Sequence, residues 1–462
     1  MTIDKFLEVC HYLRHILEDS EFLKHTYVVG GAVRDLAMGN EIKDIDLVVS
    51  LPSGGINLAN WLFDKGLLTH KPVLYPTYGT SMFQLKEFDD IEMEAVQTRK
   101  EQYKDKNSRN PDTSYGTLYE DAMRRDLTIN ALYYSIDRGK IEDVTGNGLN
   151  DIDQHIIRVT SDPDIVYQDD PLRILRCIRF SSRFGWKINE STFAGMVRNT
   201  DRLEIITKER ISDELDKMLL TRKPSIAMNI IKSIGAMKYI VPELIDTYNL
   251  TQNKYHDYNT VWEHTMMVLD NTLPKLNLRM AALLHDIGKI KTRTVDEDSK
   301  VHFYQHEIVS ADMCDSILRR LKYSNDFIRK VQFMIKNHMR TKQFGDDLGS
   351  MKTKSLLKLE YELGENFDDC LDLIDADNLS HGKEYCMPNQ VKNIRQKVKE
   401  LQKQGISMFG YRLPIDGNDV METLDIPPSS KVKDCLKWAM KFAYNNPDIT
   451  REKLLRQIKQ FR

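Results

Sequence analysis

The sequence has few cysteines, and they are widely scattered. Six are spread over 462 residues, and none stands in a CxxC pair. Zinc clusters and disulfide frameworks both need several cysteines at characteristic spacings, so neither is expected. The six cysteines are therefore predicted to be reduced thiols in a cytoplasmic protein.

Long apolar runs and a large excess of one charge are also missing. No apolar segment approaches the roughly 18 residues of a membrane helix, and the N-terminal MTIDKFLEVC does not resemble a signal peptide. We therefore expect no membrane association. Lys and Arg number 66 against 69 Asp and Glu, which gives a formal net charge of −3. Since proteins that coat nucleic acid are usually basic overall, any bound RNA must meet a local basic surface.

Hydrophobic spacing divides the chain into a mixed α/β head and an all-helical body. An amphipathic helix is predicted over residues 1–24, and strand and turn patterns then continue to about residue 145. The remainder is almost wholly helical in pattern, with an interruption at TQNKYHDYNT that suggests a boundary near residue 250. Four domains are predicted: a head (1–150), a helical neck (151–250), a third, helical domain (251–385) and a helical tail (386–462).

A glycine pair at the start of the head is a candidate phosphate loop. In YVVGGAVRD, a β-branched strand leads into Gly30 and Gly31, and a helical pattern follows. Glycines allow the backbone to approach a ligand closely and to direct amide groups at it. Arg34, one helical turn later, could bind a phosphate with its guanidinium. Taken alone, such a turn is more often only a turn.

The next predicted strand carries paired carboxylates. In KDIDLVV, Asp44 and Asp46 share one face because strand side chains alternate. Neighbouring carboxylates repel unless a cation neutralises them, and Mg²⁺ prefers oxygen ligands. A lone DxD is also common at a solvated strand end. A third carboxylate is expected on IEMEAV, where spacing alone does not choose between Glu92 and Glu94.

These motifs together resemble a known family. GGAVRD and KDIDLV are followed in order by RRDLTINAL at 124–132, DDPLRILR at 169–176 and ERISDEL at 209–215. The set resembles the class II nucleotidyltransferases, which comprise CCA-adding enzymes and bacterial poly(A) polymerases. The resemblance implies a mixed-sheet, polymerase-β-like head followed by an all-α neck and body. It also implies two Mg²⁺ ions held by Asp44, Asp46 and, from its position before QTR, Glu94.

The same resemblance implies a protein pocket that selects the nucleotide without a template. Asp170 and Arg173 lie one helical turn apart and would read the base edge, Asp126 would contact the ribose, and Arg125 would order the loop. Without the resemblance, the interpretation would be that Asp170 caps a helix and that Arg173, Arg176 and Arg179 form a solvated basic face. Residues 100–114 are hypothesised to close over the site and to assist the switch from CTP to ATP. The implied nucleotide-binding set is Gly30, Gly31, Arg34, Arg125, Asp126, Asn130, Asp170, Arg173 and Arg176.

The helical body carries a second set of candidate ligands. The string ALLHDIGK, with His285 and Asp286, resembles the HD phosphohydrolase superfamily, and Lys289 within it is a candidate phosphate contact. Imidazole and carboxylate groups suit a divalent transition metal. Asp375 lies two residues from Asp377 on a predicted helix and would face elsewhere. The resemblance implies a ligand set of His264, His285, Asp286, His306, His338 and Asp377.

The expected function is template-independent addition or repair of the tRNA CCA end from CTP and ATP. The HD domain would be a phosphohydrolase or phosphodiesterase for phosphate-ended RNA, or a metal-braced structural domain. A bacterial poly(A) polymerase is an alternative, disfavoured by the HD domain and by the lack of a long basic tail. An RNA end-healing phosphohydrolase and an enzyme that adds only CC or only A remain open, and the oligomeric state is not predicted.

Overall fold

A computed structural model describes residues 1–77, 79–102, 112–252 and 260–460. The chain forms two compact units, Met1–Ile240 and Val241–Arg462. The first contains a mixed sheet with helices, and the described part of the second is helical except for one short hairpin and an isolated bridge. The predicted fold class, a mixed α/β head followed by a helical body, is confirmed. The boundaries of the four smaller domains stay predictions.

Thirteen strands are described. They are β1 (Thr26–Val29), β2 (Ile45–Val49), β3 (Val73–Tyr75), β4 (Thr80–Leu85), β5 (Phe88–Gln97), β6 (Arg99–Gln102), β7 (Asp112–Tyr115), β8 (Leu132–Ser135), β9 (Lys140–Asp143), β10 (Ile156–Ile157), β11 (Lys187–Ile188), β12 (Arg293–Val295) and β13 (Val301–Phe303).

The helices of the first unit are α1 (Ile3–Ile16), α2 (Gly31–Ala37), α3 (Gly54–Asp64), α4 (Leu118–Met123), α5 (Gly148–Asp153), α6 (Pro163–Asp169), α7 (Leu172–Phe184), α8 (Glu190–Asn199), α9 (Lys208–Leu219), α10 (Pro224–Ser233) and α11 (Met237–Ile240). Those of the second unit are α12 (Val261–Asn271), α13 (Leu276–Leu284), α14 (Lys289–Thr292), α15 (His306–Arg320), α16 (Asn325–Asn337), α17 (Thr353–Leu363), α18 (Phe367–Asn378), α19 (Gln390–Lys403), α20 (Gly417–Leu424), α21 (Ser430–Ala443) and α22 (Arg451–Ile458).

Seven strands form the sheet of the head, in the order β3-β4-β5-β2-β1-β8-β9. β2 runs parallel to β5 and antiparallel to β1, so it lies in the interior of the sheet. Its alternating residues Ile45 and Leu47 are buried, whereas Asp46 between them is exposed. This alternation is what places a carboxylate face and an apolar face on one strand.

The first helix is shorter than predicted. It begins after the Thr2 cap and ends at Ile16, although the sequence pattern predicted a helix over residues 1–24. Phe6, Val9 and Leu13 form its buried face. Past Leu17 the side chain of Ser20 turns back and donates to the Leu17 carbonyl at 2.8 Å. Serine often competes with helical hydrogen bonds in this way, which explains the early end.

The helical unit surrounds a buried polar cluster. Helices α12, α13, α16 and α18 pack on one another, and α15 packs on α16. Most of the buried side chains on these helices are apolar, and the buried histidines and aspartates lie in one cluster. Among the described residues, no helix is both long and apolar enough to cross a membrane. The cytoplasmic location stays a prediction.

Candidate active site and metal centre

The glycine turn lies between β1 and α2. Gly30 has φ of 76°, in the left-handed region that favours glycine, and Gly31 begins α2. The Arg34 guanidinium is buried, with Nε and Nη2 each 2.9 Å from an oxygen of Asp35 and Nη1 2.8 Å from Asn130 Oδ1. In this structure Arg34 therefore braces the turn. Its predicted phosphate contact stays a prediction, and it would need Arg34 to exchange one of these partners.

Three carboxylates interact at the edge of β2 and β5. The parallel register sets Asp46 opposite Glu94, and Asp44 immediately precedes β2. Although Asp46 reaches solvent, partial burial first, and then the charges of Asp44 and Glu94, raise its pKa to about 6, against the opposing effect of Arg125. Glu92 lies outside the β2–β5 register, which pairs Ile45–Val49 with Met93–Gln97. The structure thus brings Glu94 to Asp46.

Arg125 is held by a residue that the sequence reasoning did not single out. Asp121 is fully buried and accepts hydrogen bonds from Arg124 at 2.7 Å, Arg125 at 3.0 Å and the Tyr133 hydroxyl at 2.8 Å. Burial alone would raise the Asp121 pKa, but the two arginines and Tyr133 outweigh it, and the pKa is lowered. The spacing of Asp121 from Arg124 and Arg125, which suits contacts along a helix, was the available signal.

Asp126 joins two of the sequence motifs. Its Oδ2 lies 2.7 Å from Nη2 of Arg176, and its Oδ1 accepts from Asn130 Nδ2 at 3.1 Å. Burial acts to raise the Asp126 pKa, but Arg176 and Asn130 lower it overall. Asp126 is therefore a carboxylate held between α7 and the short turn Thr128–Asn130. Its predicted ribose contact stays a prediction.

Asp170 caps the start of α7 and also forms an ion pair with a residue of α9. Its Oδ1 accepts from the Leu172 amide at 3.1 Å, as the capping interpretation required. Its Oδ2 lies 2.8 Å from Nη2 of Arg210 on α9, whereas Nη1 of Arg173 lies 3.5 Å from the Val166 carbonyl. Arg210 was within a recognised motif, but sequence reasoning gave it no role. The base-reading roles of Asp170 and Arg173 stay predictions.

The hypothesised closing loop is only partly described. Its ends pair as the antiparallel strands β6 and β7, with Gln102 opposite Asp112. Residues 103–111 lie outside the described residues, and so do residues 253–259 of the predicted domain boundary.

The six predicted ligands of the HD domain lie together in the helical unit. Asp377 Oδ1 is 2.9 Å from His264 Nε2 and 3.8 Å from His285 Nε2. Asp286 is shared by two groups of candidate ligands, one with His264 and His285 and the other with His306 and His338, and within each group the ligand atoms lie within 4.8 Å of one another. The six side chains are buried or nearly so, and they come from separate elements of the helical unit except for the adjacent His285 and Asp286.

The backbone orients all four histidines in the same sense. Each Nδ1 faces a carbonyl oxygen: His264 to Ser380 at 3.3 Å, His285 to Ala282 at 2.8 Å, His306 to Phe303 at 2.8 Å and His338 to Ile335 at 2.6 Å. A carbonyl can only accept, so Nδ1 carries the proton and each neutral ring has its lone pair on Nε2. This is the arrangement that metal-binding histidines usually adopt.

The electrostatics of the cluster fit a cation. Nε2 of His306 and Nε2 of His338 are 3.3 Å apart, so two lone pairs face each other when both Nδ1 atoms are protonated. Burial, followed by the nearby His285 and His306, lowers the pKa of His338 to about 3, which keeps that ring neutral. Nε2 of His285 is buried and makes no well-oriented hydrogen bond. A metal ion would satisfy these nitrogens and the carboxylates together.

A cavity of about 590 Å³ opens onto this cluster. Lys289, one turn after the HD pair, is buried with Nζ 2.7 Å from Asp286 Oδ2 and 2.8 Å from Gln252 Oε1. Lys342 also lines the cavity but is exposed. The cavity therefore combines candidate metal ligands with cations suited to an anionic ligand.

Three family models match successive parts of the chain. The "Poly A polymerase head domain" matches residues 26–158, the "Probable RNA and SrmB- binding site of polymerase A" residues 185–247, and the "HD domain" residues 261–380. The fold and the sites thus define a template-independent nucleotidyltransferase head joined to an HD domain.

Similar proteins from other organisms identify the family within this class. The Multifunctional CCA protein of Neisseria gonorrhoeae is 30% identical over 76% of this chain and 83% of its own length. The tRNA nucleotidyltransferase cca1 of Schizosaccharomyces pombe is 25% identical over 92% of this chain and 88% of its own. The chain belongs to the CCA tRNA nucleotidyltransferase family.

Solved structures share the fold over nearly the whole chain. The Bacillus stearothermophilus CCA-adding enzyme in complex with CTP has a TM-score of 0.68 at 18% identity and covers 100% of this chain and 98% of that one. The Thermotoga maritima CCA-adding enzyme complexed with tRNA has a TM-score of 0.61 at 20% identity, with coverage of 98% and 95%.

Proposed function

We propose that this chain adds or repairs the 3′-terminal CCA of tRNA, with CTP and ATP as substrates. The observation that carries the proposal is the carboxylate set at the edge of β2 and β5, where Asp46 lies opposite Glu94 and next to Asp44. Membership in the CCA tRNA nucleotidyltransferase family supports the choice of substrate. So do the neighbours solved with CTP and with tRNA.

The carboxylates suit two Mg²⁺ ions. Oxygen donors are what Mg²⁺ prefers. Burial first, and then the charges of Asp44 and Glu94, raise the pKa of Asp46, and a bound cation would offset both effects. When bound, two such ions would activate the tRNA 3′-hydroxyl and hold the triphosphate. Asp44, Asp46 and Glu94 would be their ligands, while Arg125, fixed by Asp121, would face the negatively charged reactants.

Side chains of the neck would select the incoming base in place of a nucleic-acid template. Asp170 and Arg173 offer an acceptor and a forked donor, the groups that pair with base edges. Arg210 supports Asp170, and Arg176 supports Asp126 beneath the ribose position. Gly30, whose φ of 76° favours glycine, would let the turn between β1 and α2 direct backbone amides at the triphosphate. Each of these roles is part of the proposal.

Incorporation assays test the proposal. Purified protein with Mg²⁺ receives tRNA transcripts that end before CCA, after C and after CC, together with each labelled nucleotide in turn. We expect growth that stops at CCA. A long A tail would instead identify a poly(A) polymerase, and growth by CC only or A only would identify a partial enzyme.

Two glutamates on the same face of β5 provide a matched control. Glu94→Gln should reduce incorporation by at least about 100-fold, because it removes one charged ligand from the reaction centre. Glu92→Gln should leave incorporation within about twofold, since the β2–β5 register pairs Glu94, and not Glu92, with Asp46. Asp44→Ala should abolish incorporation. Equal loss in the two glutamate variants would contradict the assignment of the third carboxylate.

The HD cluster supports a second activity in the same chain. We propose that it binds divalent transition metal and hydrolyses phosphate esters at RNA ends. The inward-facing Nε2 atoms of four histidines carry this proposal, together with Asp286 and Asp377. The metal would supply activated water, and Lys289 would neutralise charge on the phosphate.

Loss of one ligand separates the two activities. His285→Ala should abolish phosphate release from 3′-phosphorylated RNA in the presence of Mn²⁺, Co²⁺ or Ni²⁺, and should leave CCA addition within about twofold. Phosphate release by wild type but no nucleotide incorporation would instead indicate an RNA end-healing enzyme. Metal binding without hydrolysis would indicate a structural HD domain.

A further inference from the structure

An exposed aromatic pair lies on the hairpin β12–β13 of the helical unit and just after it. His302 on β13 and Tyr304 are two residues apart and share a face, and their rings are stacked with centroids 5.2 Å apart and planes 10° apart. Asp296 holds His302, with its Oδ2 2.9 Å from Nε2. Tyr304 is 69% exposed, the highest value among the large exposed apolar side chains of the described residues. His302 therefore covers one face of the Tyr304 ring, and most of the side chain is open to solvent.

This pair lines the cavity that opens onto the HD cluster. His302 and Tyr304 contribute to its wall together with His306 and Asp377. Gln305, between Tyr304 and His306, has φ of 59°, which is uncommon for a residue other than glycine. The chain turns sharply there, so that Tyr304 is exposed while His306 is buried in the cluster.

Most of the Tyr304 side chain is left exposed, although His302 stacks on its ring. Exposing most of a tyrosine to water forgoes the stabilisation that burial of its ring would give. A ring pre-oriented by a stacked neighbour, in a cavity with metal ligands and lysines, has the features of a nucleotide site. Bases stack on aromatic side chains whatever their identity, because every base has a π-face. The volume of about 590 Å³ is within the usual range for small-molecule sites.

We propose that Tyr304, supported by His302, binds the base of the nucleotide whose phosphate enters the HD cluster. The inference rests on the proposed phosphate-ester hydrolysis and specifies its substrate class: a ribonucleotide end with a base, rather than a simple phosphate monoester. Lys289 and the cluster act on the phosphate, while Tyr304 positions the nucleoside. Stacking makes the site tolerant of base identity.

Two substrates that differ in the base test the proposal. Metal-loaded full-length protein is given adenosine 3′-phosphate or glycerol 2-phosphate, which has no base. Tyr304→Ala should raise KM for adenosine 3′-phosphate about tenfold, equivalent to about 1.4 kcal/mol, with kcat within about twofold. KM for glycerol 2-phosphate should not change. Tyr304→Phe keeps the ring and should behave as wild type. CCA addition by each variant provides the folding control.

The outcomes separate the two proposals. Equal changes for both substrates, or no change for either, would overturn the role of Tyr304. If wild type hydrolyses neither substrate, photolabelling with 8-azidoadenosine 3′-phosphate gives the answer. Label on the peptide that carries Tyr304, displaced by adenosine 3′-phosphate, would support the proposed stacking site and contradict the proposed hydrolysis. Absence of label on that peptide would reject the stacking site itself.

Discussion

Substitution of Asp121 by asparagine should destabilise the head more than any exposed charge change. The Asp121 carboxylate is fully buried and joins Arg124, Arg125 and Tyr133. Removal of one partner from a buried ion pair leaves uncompensated charge and costs about 3–5 kcal/mol. Asparagine keeps the size and one acceptor oxygen, so we expect the lower end of that range, about 3 kcal/mol.

Amide hydrogen exchange measures this effect locally. Peptides from α4 and β8 should exchange about 100-fold faster in Asp121→Asn under conditions where exchange reports the free energy of opening. Tyr133→Phe is the matched control: it keeps the carboxylate, removes the 2.8 Å hydrogen bond to it and the 3.2 Å bond that the hydroxyl accepts from Arg125 Nε, and should cost about 1 kcal/mol. An acceleration below about fivefold in Asp121→Asn would refute the reasoning.

The pH dependence follows from the sign of the pKa change. The arginines hold the Asp121 pKa below its ordinary value, against the effect of burial. The stabilisation is therefore fully present above the ordinary pKa of aspartate, about 4, and is lost as pH falls through the lower native value. The difference between wild type and Asp121→Asn should be the same at pH 7 and pH 5 and shrink only below about pH 4.

Three further outcomes are expected. Because the pKa of Asp46 is raised to about 6, protons should compete with Mg²⁺, and Mg²⁺ affinity measured by calorimetry should fall between pH 7 and pH 5; a pH-independent affinity would contradict this. His285→Ala should lower the transition-metal content of the purified protein, measured by elemental analysis, and an unchanged content would exclude it as a ligand. Arg210→Ala should reduce the preference for CTP over UTP, as a ratio of kcat/KM, about fivefold, since Asp170 loses a partly exposed partner; an unaltered ratio would show that Asp170 is held without it.

The sequence alone was sufficient for features that motifs carry. Five motifs in order identified the class of protein and its mixed head and helical body. The HD motif with its outlying histidines likewise predicted a ligand set that the structure brings together. These predictions succeeded because backbone geometry fixes short spacings, and because a motif is a local arrangement of chain.

Contacts between distant elements were decided only by the tertiary structure. The parallel register of β2 and β5 chose Glu94 over Glu92. Packing of α7 against α9 gave Asp170 its partner Arg210, which no local spacing indicated. Register and helix packing depend on how whole surfaces fit together, so residues far apart in the chain acquire partners that their own neighbours do not specify.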